Sequence, residues 1–345
     1  MSVNEYEYEY KIVSKEINYL GKSLKTKLWV ELTDEHYNKI VSDFYAKPLL
    51  EDVENEFSKI SKGGVKLANI TKNYVKDLMA KTILYYCKWS LEEALLSKDV
   101  MGHFYAGTLS NKKLFSDNLS ENVKIEKRIS LGGKGVATNP RNFPIKTVRQ
   151  VLTKYNVNNN WYDPSCGWGA RLLGGMSENV NYFGTDPNYL LTERLIALGD
   201  DYRASIKDCT STIDIRTQGS ELLVKEWVGK MGLAFTSPPY FNLEDYKVGN
   251  QSYVAGDSYS KWLDTYLEPT IANIKEYLIE DGFMVININN FDKYDLVADT
   301  KEICENNGFD YVETMVLTNT KRTNSHNGFN DNSEGMMVFS KNNKV

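Results

Sequence analysis

Three short segments hold residue types that can do chemistry together. The first is Thr236-Ser237-Pro238-Pro239-Tyr240. Two consecutive prolines stiffen the chain and remove two backbone N–H donors. Their carbonyls stay free to accept hydrogen bonds. Ser237 adds a hydroxyl acceptor and Tyr240 an aromatic face. An amino group on an aromatic base has two N–H donors and a lone pair delocalised into its ring. Acceptors on both N–H bonds orient that group and stabilise positive charge developing on nitrogen. A flat ring beside them can stack on a base swung out of a helix. The alternative is a rigid turn without chemistry.

The second segment is Asp163-Pro164-Ser165-Cys166-Gly167-Trp168-Gly169-Ala170-Arg171. Gly167 and Gly169 allow a tight turn and a close approach of backbone to ligand. A helix opening there offers free N–H groups to an anion. The same glycines also suit a plain strand-to-helix turn. The third is Asp186 in Phe183-Gly184-Thr185-Asp186-Pro187. An acid in this place, about twenty residues after a glycine turn, can accept hydrogen bonds from ribose hydroxyls. It can also simply cap a helix.

The elements that must position these segments are readable from the pattern. From about residue 143, helix and strand alternate. Strands are expected at 160–163, 181–185, 213–216, 232–236, 283–289, 310–317 and 335–341. Helices are expected at 144–155, after the glycine turn, and at 189–200, 220–228, 260–279 and 293–307. Repeated βα units predict a mostly parallel sheet with helices on both faces. The last two strands, with no helix between them, predict an antiparallel hairpin at one edge. In such sheets ligands bind beyond the carboxyl ends of the strands, near the switch point. All three segments fall there.

The segments, in this order and on these strands, resemble the amino-methyltransferase family, which methylates adenine N6 or cytosine N4 in DNA and has kin acting on RNA. DPSCGWGAR resembles its S-adenosylmethionine (AdoMet) motif, and SPPY its catalytic tetrapeptide (D/N/S)-P-P-(Y/F/W). Asn142-Phe143-Pro144 resembles the segment around the methionine part of AdoMet. Gly219-Ser220-Glu221 is a weaker match to the loop beside the adenine. The resemblance covers about 140–345. It implies a Rossmann-like class I methyltransferase sheet with an antiparallel terminal hairpin. It also implies that Phe143, Asp163, Cys166, Gly167, Gly169, Asp186 and Glu221 surround AdoMet, and that Ser237, Pro238, Pro239 and Tyr240 position the amino group. Serine in the first position leans towards cytosine N4. No Pro-Cys pair stands at the catalytic position, which disfavours cytosine-C5 chemistry and its thiolate nucleophile.

The resulting expectation is an AdoMet-dependent DNA methyltransferase. An RNA base methyltransferase and a non-catalytic nucleic-acid-binding protein with the same fold are the alternatives. Residues 136–345 are expected to form the methyltransferase domain. Residues 1–135 are expected to form a mixed, largely helical accessory or nucleic-acid-binding domain. In it a strand is expected at 26–32, a helix from Thr33 or Asp34 to about Tyr45, and a longer helix from Thr71 to about Lys98. Residues 130–142, rich in Gly, Asn and Pro, read as the boundary.

The chain has 345 residues and a net charge of −5, divided as +2 over 1–139 and −7 over 140–345. A net negative chain is no unselective polyanion binder. DNA contact is then expected from local patches. One is Lys124 to Arg149, with Lys124, Lys127, Arg128, Lys134, Arg141, Lys146 and Arg149 against Glu126. Another is the loop 318–333, with Lys321, Arg322 and His326. The loop 241–259 is a third candidate, since no large recognition domain fits between or after the motifs. Each can equally be a solvated face or plain loop. Four scattered cysteines without CxxC or nearby histidines predict neither disulfides nor a metal site. The absence of a basic–apolar leader and of a long apolar run predicts a soluble, cytoplasmic protein with no membrane partner. Oligomeric state is not readable.

Overall fold

The computed structural model describes residues 14–109, 137, 139–255, 258–316 and 335–342. Lys124, Lys127, Arg128 and Lys134 of the basic stretch, and the loop 318–333, lie outside the described residues. The chain forms two compact units. One comprises Met1–Lys47, Asp77–Pro140 and Asp245–Lys247, the other Pro48–Lys76, Arg141–Glu244 and Val248–Val345. Residues 48–76 thus group with the later part of the chain, on the other side of the boundary expected at 135/136.

In the first unit, β1 (Lys15–Tyr19) and β2 (Lys22–Thr26) make an antiparallel hairpin. The expected strand at 26–32 is displaced to this hairpin, and only its first residue, Thr26, is in a strand. The helix Asp34–Tyr45 forms as expected. Thr33 caps it by accepting from the His36 N–H at 3.2 Å. The long helix expected over 71–98 is broken into Ala68–Tyr74, Lys76–Lys81, the two-residue strand β3 (Ile83–Leu84) and Leu91–Leu95. A capping box is one reason. Ser90 accepts from the Glu93 N–H, and the Glu93 carboxylate accepts from the Ser90 N–H, so a new helix starts there. Trp89, Phe44, Ile40, Leu95 and Phe104 pack in this unit's core.

The second unit is built on a seven-stranded sheet. Its strands are β4 (Asn160–Asp163), β5 (Asn181–Thr185), β6 (Ile213–Arg216), β7 (Met231–Thr236), β9 (Leu278–Asn287), β10 (Asp310–Val316) and β11 (Gly335–Ser340). The two-residue β8 (Glu244–Asp245) lies outside it. The spatial order is β10-β11-β9-β7-β4-β5-β6. The pairs β4–β5, β5–β6, β4–β7 and β7–β9 are parallel, whereas β9–β11 and β11–β10 are antiparallel. This is the expected Rossmann-like sheet with its antiparallel terminal hairpin. The chain runs outward from β4 to β6, then returns to β7 on the other side of β4. The switch point is therefore the gap beyond the ends of β4 and β7.

Alternation along the strands divides the core between two faces. Trp161 lies against Tyr182 and Phe235 on one face, where Gly175 of the helix Ala170–Met176 has no side chain to obstruct its ring. Tyr162 lies on the other, edge-on to Tyr277 from the helix Glu268–Tyr277. The helix Ile145–Tyr155 buries Ile145, Val148, Val151, Leu152 and Tyr155 at helical spacing. Residues 48–76 are tied to this unit by specific bonds. Arg149 donates to the Gly64 and Ile60 carbonyls, and Phe57 meets Tyr202 edge-on at 5.3 Å.

Two expected helices differ. Over 220–228 only a 3-10 turn, Lys225–Trp227, forms. Over 260–279 the chain runs as α-helix Tyr259–Trp262, a π turn Leu263–Leu267, and α-helix Glu268–Tyr277. No helix among the described residues is long and apolar enough to cross a membrane.

Candidate active site

The loop after β4 is set by a buried carboxylate. Asp163 is wholly enclosed, and both its oxygens are engaged. Oδ2 accepts from Arg171 Nε at 2.7 Å and from the Tyr182 hydroxyl at 2.8 Å. Oδ1 accepts from Arg171 Nη2 at 3.2 Å and from the Ser165 N–H at 3.2 Å. Arg171 also donates to the Ser165 carbonyl. Asp163 therefore faces inward and shapes the turn. Arg171 is part of the motif, and only the fold reveals its role.

Cys166 is buried too. Its N–H donates to the Thr185 carbonyl at 3.3 Å, and its thiol leans on the same oxygen at 3.4 Å. Burial, then the charges of Asp163 and Asp186, push its thiol well above the usual range. It stays a neutral packing group. Gly167 and Gly169 take φ of +60° and +91°, where glycine is favoured. A Cβ on Gly169 would also sit 2.7 Å from Leu198 Cδ2. Gly184, on β5, is needed for a different reason. A Cβ there would lie 2.6 Å from Cys166 Sγ.

Asp186 follows β5 directly, and its N–H donates to the Arg216 carbonyl at 3.2 Å. One carboxylate oxygen, Oδ1, accepts from the Asn188 N–H at 2.9 Å. The helix Tyr189–Ser205 is capped by Asn188, not by Asp186. Burial raises the Asp186 carboxyl from 3.8 to about 7, with the Asn188 bond opposing and the Asp163 charge adding. Glu221 folds over Gly219, where a Cβ would meet both its carboxylate oxygens at 2.2 Å. Tyr266, on the π turn, was not foreseen. Its buried hydroxyl is 3.3 Å from Ser165 Oγ. Phe143 packs edge-on against Phe235 at 5.5 Å, with the Arg171 guanidinium 5.7 Å from its ring.

Beyond β7, Ser237, Pro239 and Tyr240 are half-buried and Pro238 is buried. The segment is anchored from below. Trp161 Nε1 donates to the Phe235 carbonyl at 3.1 Å, and the two rings stack at 5.7 Å. From the side it meets Asn287, the last residue of β9. Asn287 Nδ2 donates to Ser237 Oγ at 3.2 Å, and the Asn287 carbonyl accepts from the Tyr240 hydroxyl at 3.3 Å. Phe241, with φ of +51°, turns into an aromatic cluster with Tyr259, Trp262 and Tyr294. The start of the 241–259 loop is thus held inward. Asn250 of the same loop donates to the Pro187 carbonyl at 3.1 Å, next to Asp186.

Arg149, proposed for a basic patch, is otherwise engaged. It pairs with Glu178 at 2.9 Å and donates to Ser177 as well as to the two carbonyls of residues 60 and 64. Among the described residues no group of three or more His, Cys, Asp or Glu is placed to hold a metal ion.

Residues 231–345 match the N6/N4 methyltransferase family model, described as DNA methylase. The match begins at β7 and so contains Ser237–Tyr240 and Asn287. No curated protein matches the chain. Among solved structures, the chain is similar to a TehB-like SAM-dependent methyltransferase from Corynebacterium glutamicum. Identity is 16%, coverage 56% of this chain and 87% of that one, and TM-score 0.35. It is also similar to a magnesium protoporphyrin IX methyltransferase from Synechocystis with bound SAM, at 12% identity, 67% and 89% coverage and TM-score 0.38. A third is a 1,6-didemethyltoxoflavin-N1-methyltransferase from Burkholderia thailandensis, at 11% identity, 58% and 76% coverage and TM-score 0.38.

Proposed function

We propose that this protein transfers a methyl group from AdoMet to the exocyclic amino group of a base in DNA, cytosine N4 or adenine N6. The observation that carries the reading is the placement of Ser237-Pro238-Pro239-Tyr240 at the switch point, beside the glycine turn of β4 and inside the segment that matches the DNA methylase family. A match over part of the chain supports the base chemistry. The strand order supports the cofactor.

The residues present fit AdoMet. Gly167 and Gly169 leave the turn without side chains at positive φ. Asp186 keeps one carboxylate oxygen beyond its bond to Asn188, suited to a ribose hydroxyl. Phe143 gives an apolar wall, and Glu221 stands on the loop after β6. Cys166 contributes backbone and volume, and Asp163 acts through Arg171 on the turn's shape. Bound there, AdoMet supplies an electrophilic methyl on its sulfonium.

The chain's own groups then do the positioning. Ser237 Oγ accepts one amino N–H, and a carbonyl of the proline pair accepts the other. Tyr240 stacks on the base. Acceptors on both N–H bonds favour the transition state, in which nitrogen becomes positive, over the neutral amine. The thiol of Cys166, raised by burial, takes no part. The first unit is proposed as an accessory or nucleic-acid-binding part.

The test is nucleoside mass spectrometry of DNA from cells expressing the protein, with methyl-labelled AdoMet assays on DNA and RNA in parallel. N4-methylcytosine or N6-methyladenine in DNA is the expected product. Label in RNA alone, or none, overturns the reading.

A further inference from the structure

We infer that Asn287 is a positioning residue for Ser237, so that the acceptor for the target amino group is a Ser237–Asn287 pair. The inference rests on the methyl-transfer reading above and adds a residue to it.

A serine hydroxyl is an ambiguous partner. It carries one proton and two lone pairs, and its hydrogen rotates to suit its surroundings. An amino group arriving with N–H donors needs a lone pair. A hydroxyl whose oxygen swings between rotamers would present that lone pair only part of the time. An Asp or Asn in the first motif position has no such ambiguity, because its side-chain oxygen only accepts. Here the carboxamide lies on the neighbouring strand. Asn287 Nδ2 donates to Ser237 Oγ at 3.2 Å, which uses one lone pair to hold the oxygen in place and leaves the second for the incoming amino N–H.

Asn287 is suited to hold something still. Its side chain is buried, with the residue 4% exposed. Its backbone is pinned between two strands, opposite Met336 of β11, and follows Ile286, which pairs with Thr236 of β7. Its carbonyl accepts a weak hydrogen bond from the Tyr240 hydroxyl at 3.3 Å. One residue therefore contacts both ends of the tetrapeptide. Packing alone does not ask for an amide here. Asn287 Oδ1 is buried without a hydrogen-bond partner, as is the hydroxyl of Thr236 next to Ser237. An unsatisfied buried polar atom in a native structure calls for a reason. The preceding run Met284-Val285-Ile286 shows what this strand otherwise buries.

The test is a double-variant cycle in the full chain, measured with methyl-labelled AdoMet and plasmid DNA from a host lacking DNA methylation. Ser237→Ala and Asn287→Ala should each lower kcat by about tenfold or more. If Asn287 acts through Ser237, the double variant should fall no more than about twofold below Ser237→Ala alone. AdoMet affinity by calorimetry should stay within about twofold of wild type in all three. Asn287→Ser, smaller but able to donate, serves if Asn287→Ala does not fold, and should recover part of the rate. Multiplicative losses, or weakened AdoMet binding parallel to the loss of rate, overturn the inference and leave the methyl-transfer reading standing. No transfer by the wild-type protein to any DNA overturns both.

Discussion

Arg171 Nε stands 2.7 Å from Asp163 Oδ2, in a pair whose side chains are 6% and 0% exposed. The guanidinium spans the glycine turn, from the end of β4 to the helix that follows. A buried ion pair gives little net stability over an apolar pair, but breaking it leaves a charge without a counter-ion. Asp163→Asn should therefore destabilise the protein by about 3–5 kcal/mol. Arg171→Met should do the same. The double variant should recover part of the loss, because no lone charge remains. Urea denaturation of the four proteins measures this. Equal stability of wild type and Asp163→Asn would refute the organising role.

Asp186 predicts opposite pH trends for folding and for binding. Its carboxyl sits at about 7 in the folded protein, against 3.8 ordinarily, because it is buried. The folded state keeps a proton that the unfolded chain has already released. The stability tied to this group is complete below about pH 4 and is lost as pH rises through about 7. Ribose hydroxyls donate, so on the reading proposed here AdoMet selects the ionised form. Affinity should rise roughly tenfold between pH 6 and pH 8 and release a proton on binding. Calorimetry in buffers of different ionisation enthalpy measures both. Asp186→Asn should bind more weakly and lose the pH dependence.

The sheet was legible because short strand segments alternate with helical patterns between turn residues, and its central strand β7 is largely apolar and buried throughout. The strands at 160–163, 181–185 and 213–216 lie where the pattern puts them. The helix expected at 220–228 fails for a tertiary reason. The Val224 N–H donates to the Tyr277 hydroxyl at 2.7 Å, and Trp227 turns under the sheet to reach Asp214. No local pattern records that competition. The π turn at 263–267 is similarly hidden, because one extra residue per turn leaves an apolar helix pattern nearly unchanged. In the proposed site, Ser237, Tyr240 and Asp186 are candidates by residue type and place. Asn287 is not, being 50 residues from Ser237. Its signal was a polar residue closing the apolar run of β9. Asp163 was visible as a motif residue, but whether it faces ligand or core depends on Arg171 and Tyr182, which only the fold brings to it.

Gly184 shows how tightly the turn is packed. A Cβ there would fall 2.6 Å from Cys166 Sγ and 2.8 Å from Tyr182 Cε1. Both neighbours are buried and tied to Thr185 or Asp163, so neither can yield cheaply. Gly184→Ala should cost about 1–3 kcal/mol, as overpacking of a core does. Adding Cys166→Ala removes the nearer obstacle and should restore part of the stability, though not the clash with Tyr182. Thermal melts of the single and double variants test this. Additive destabilisation would mean that the two sites do not compete for the same space.

Tyr240 separates the two things its side chain offers. The hydroxyl donates to the Asn287 carbonyl at 3.3 Å, beyond the usual range for an O–H donor, so this bond is weak. The ring is half-buried and, on the reading proposed here, stacks on the extrahelical base. Stacking of a base on an aromatic side chain is worth about 1–3 kcal/mol by alanine substitution. Tyr240→Phe keeps the ring and should change kcat by less than about fivefold, in line with losing one weak neutral hydrogen bond. Tyr240→Ala removes the stacking face and should lower kcat/KM for DNA by about 5- to 150-fold. AdoMet affinity should hold in both. Steady-state kinetics with plasmid DNA, alongside cofactor calorimetry, gives the comparison. A Phe variant as impaired as the Ala variant would place the hydroxyl, with its link to Asn287, at the centre of the chemistry. The ring would then be left as packing.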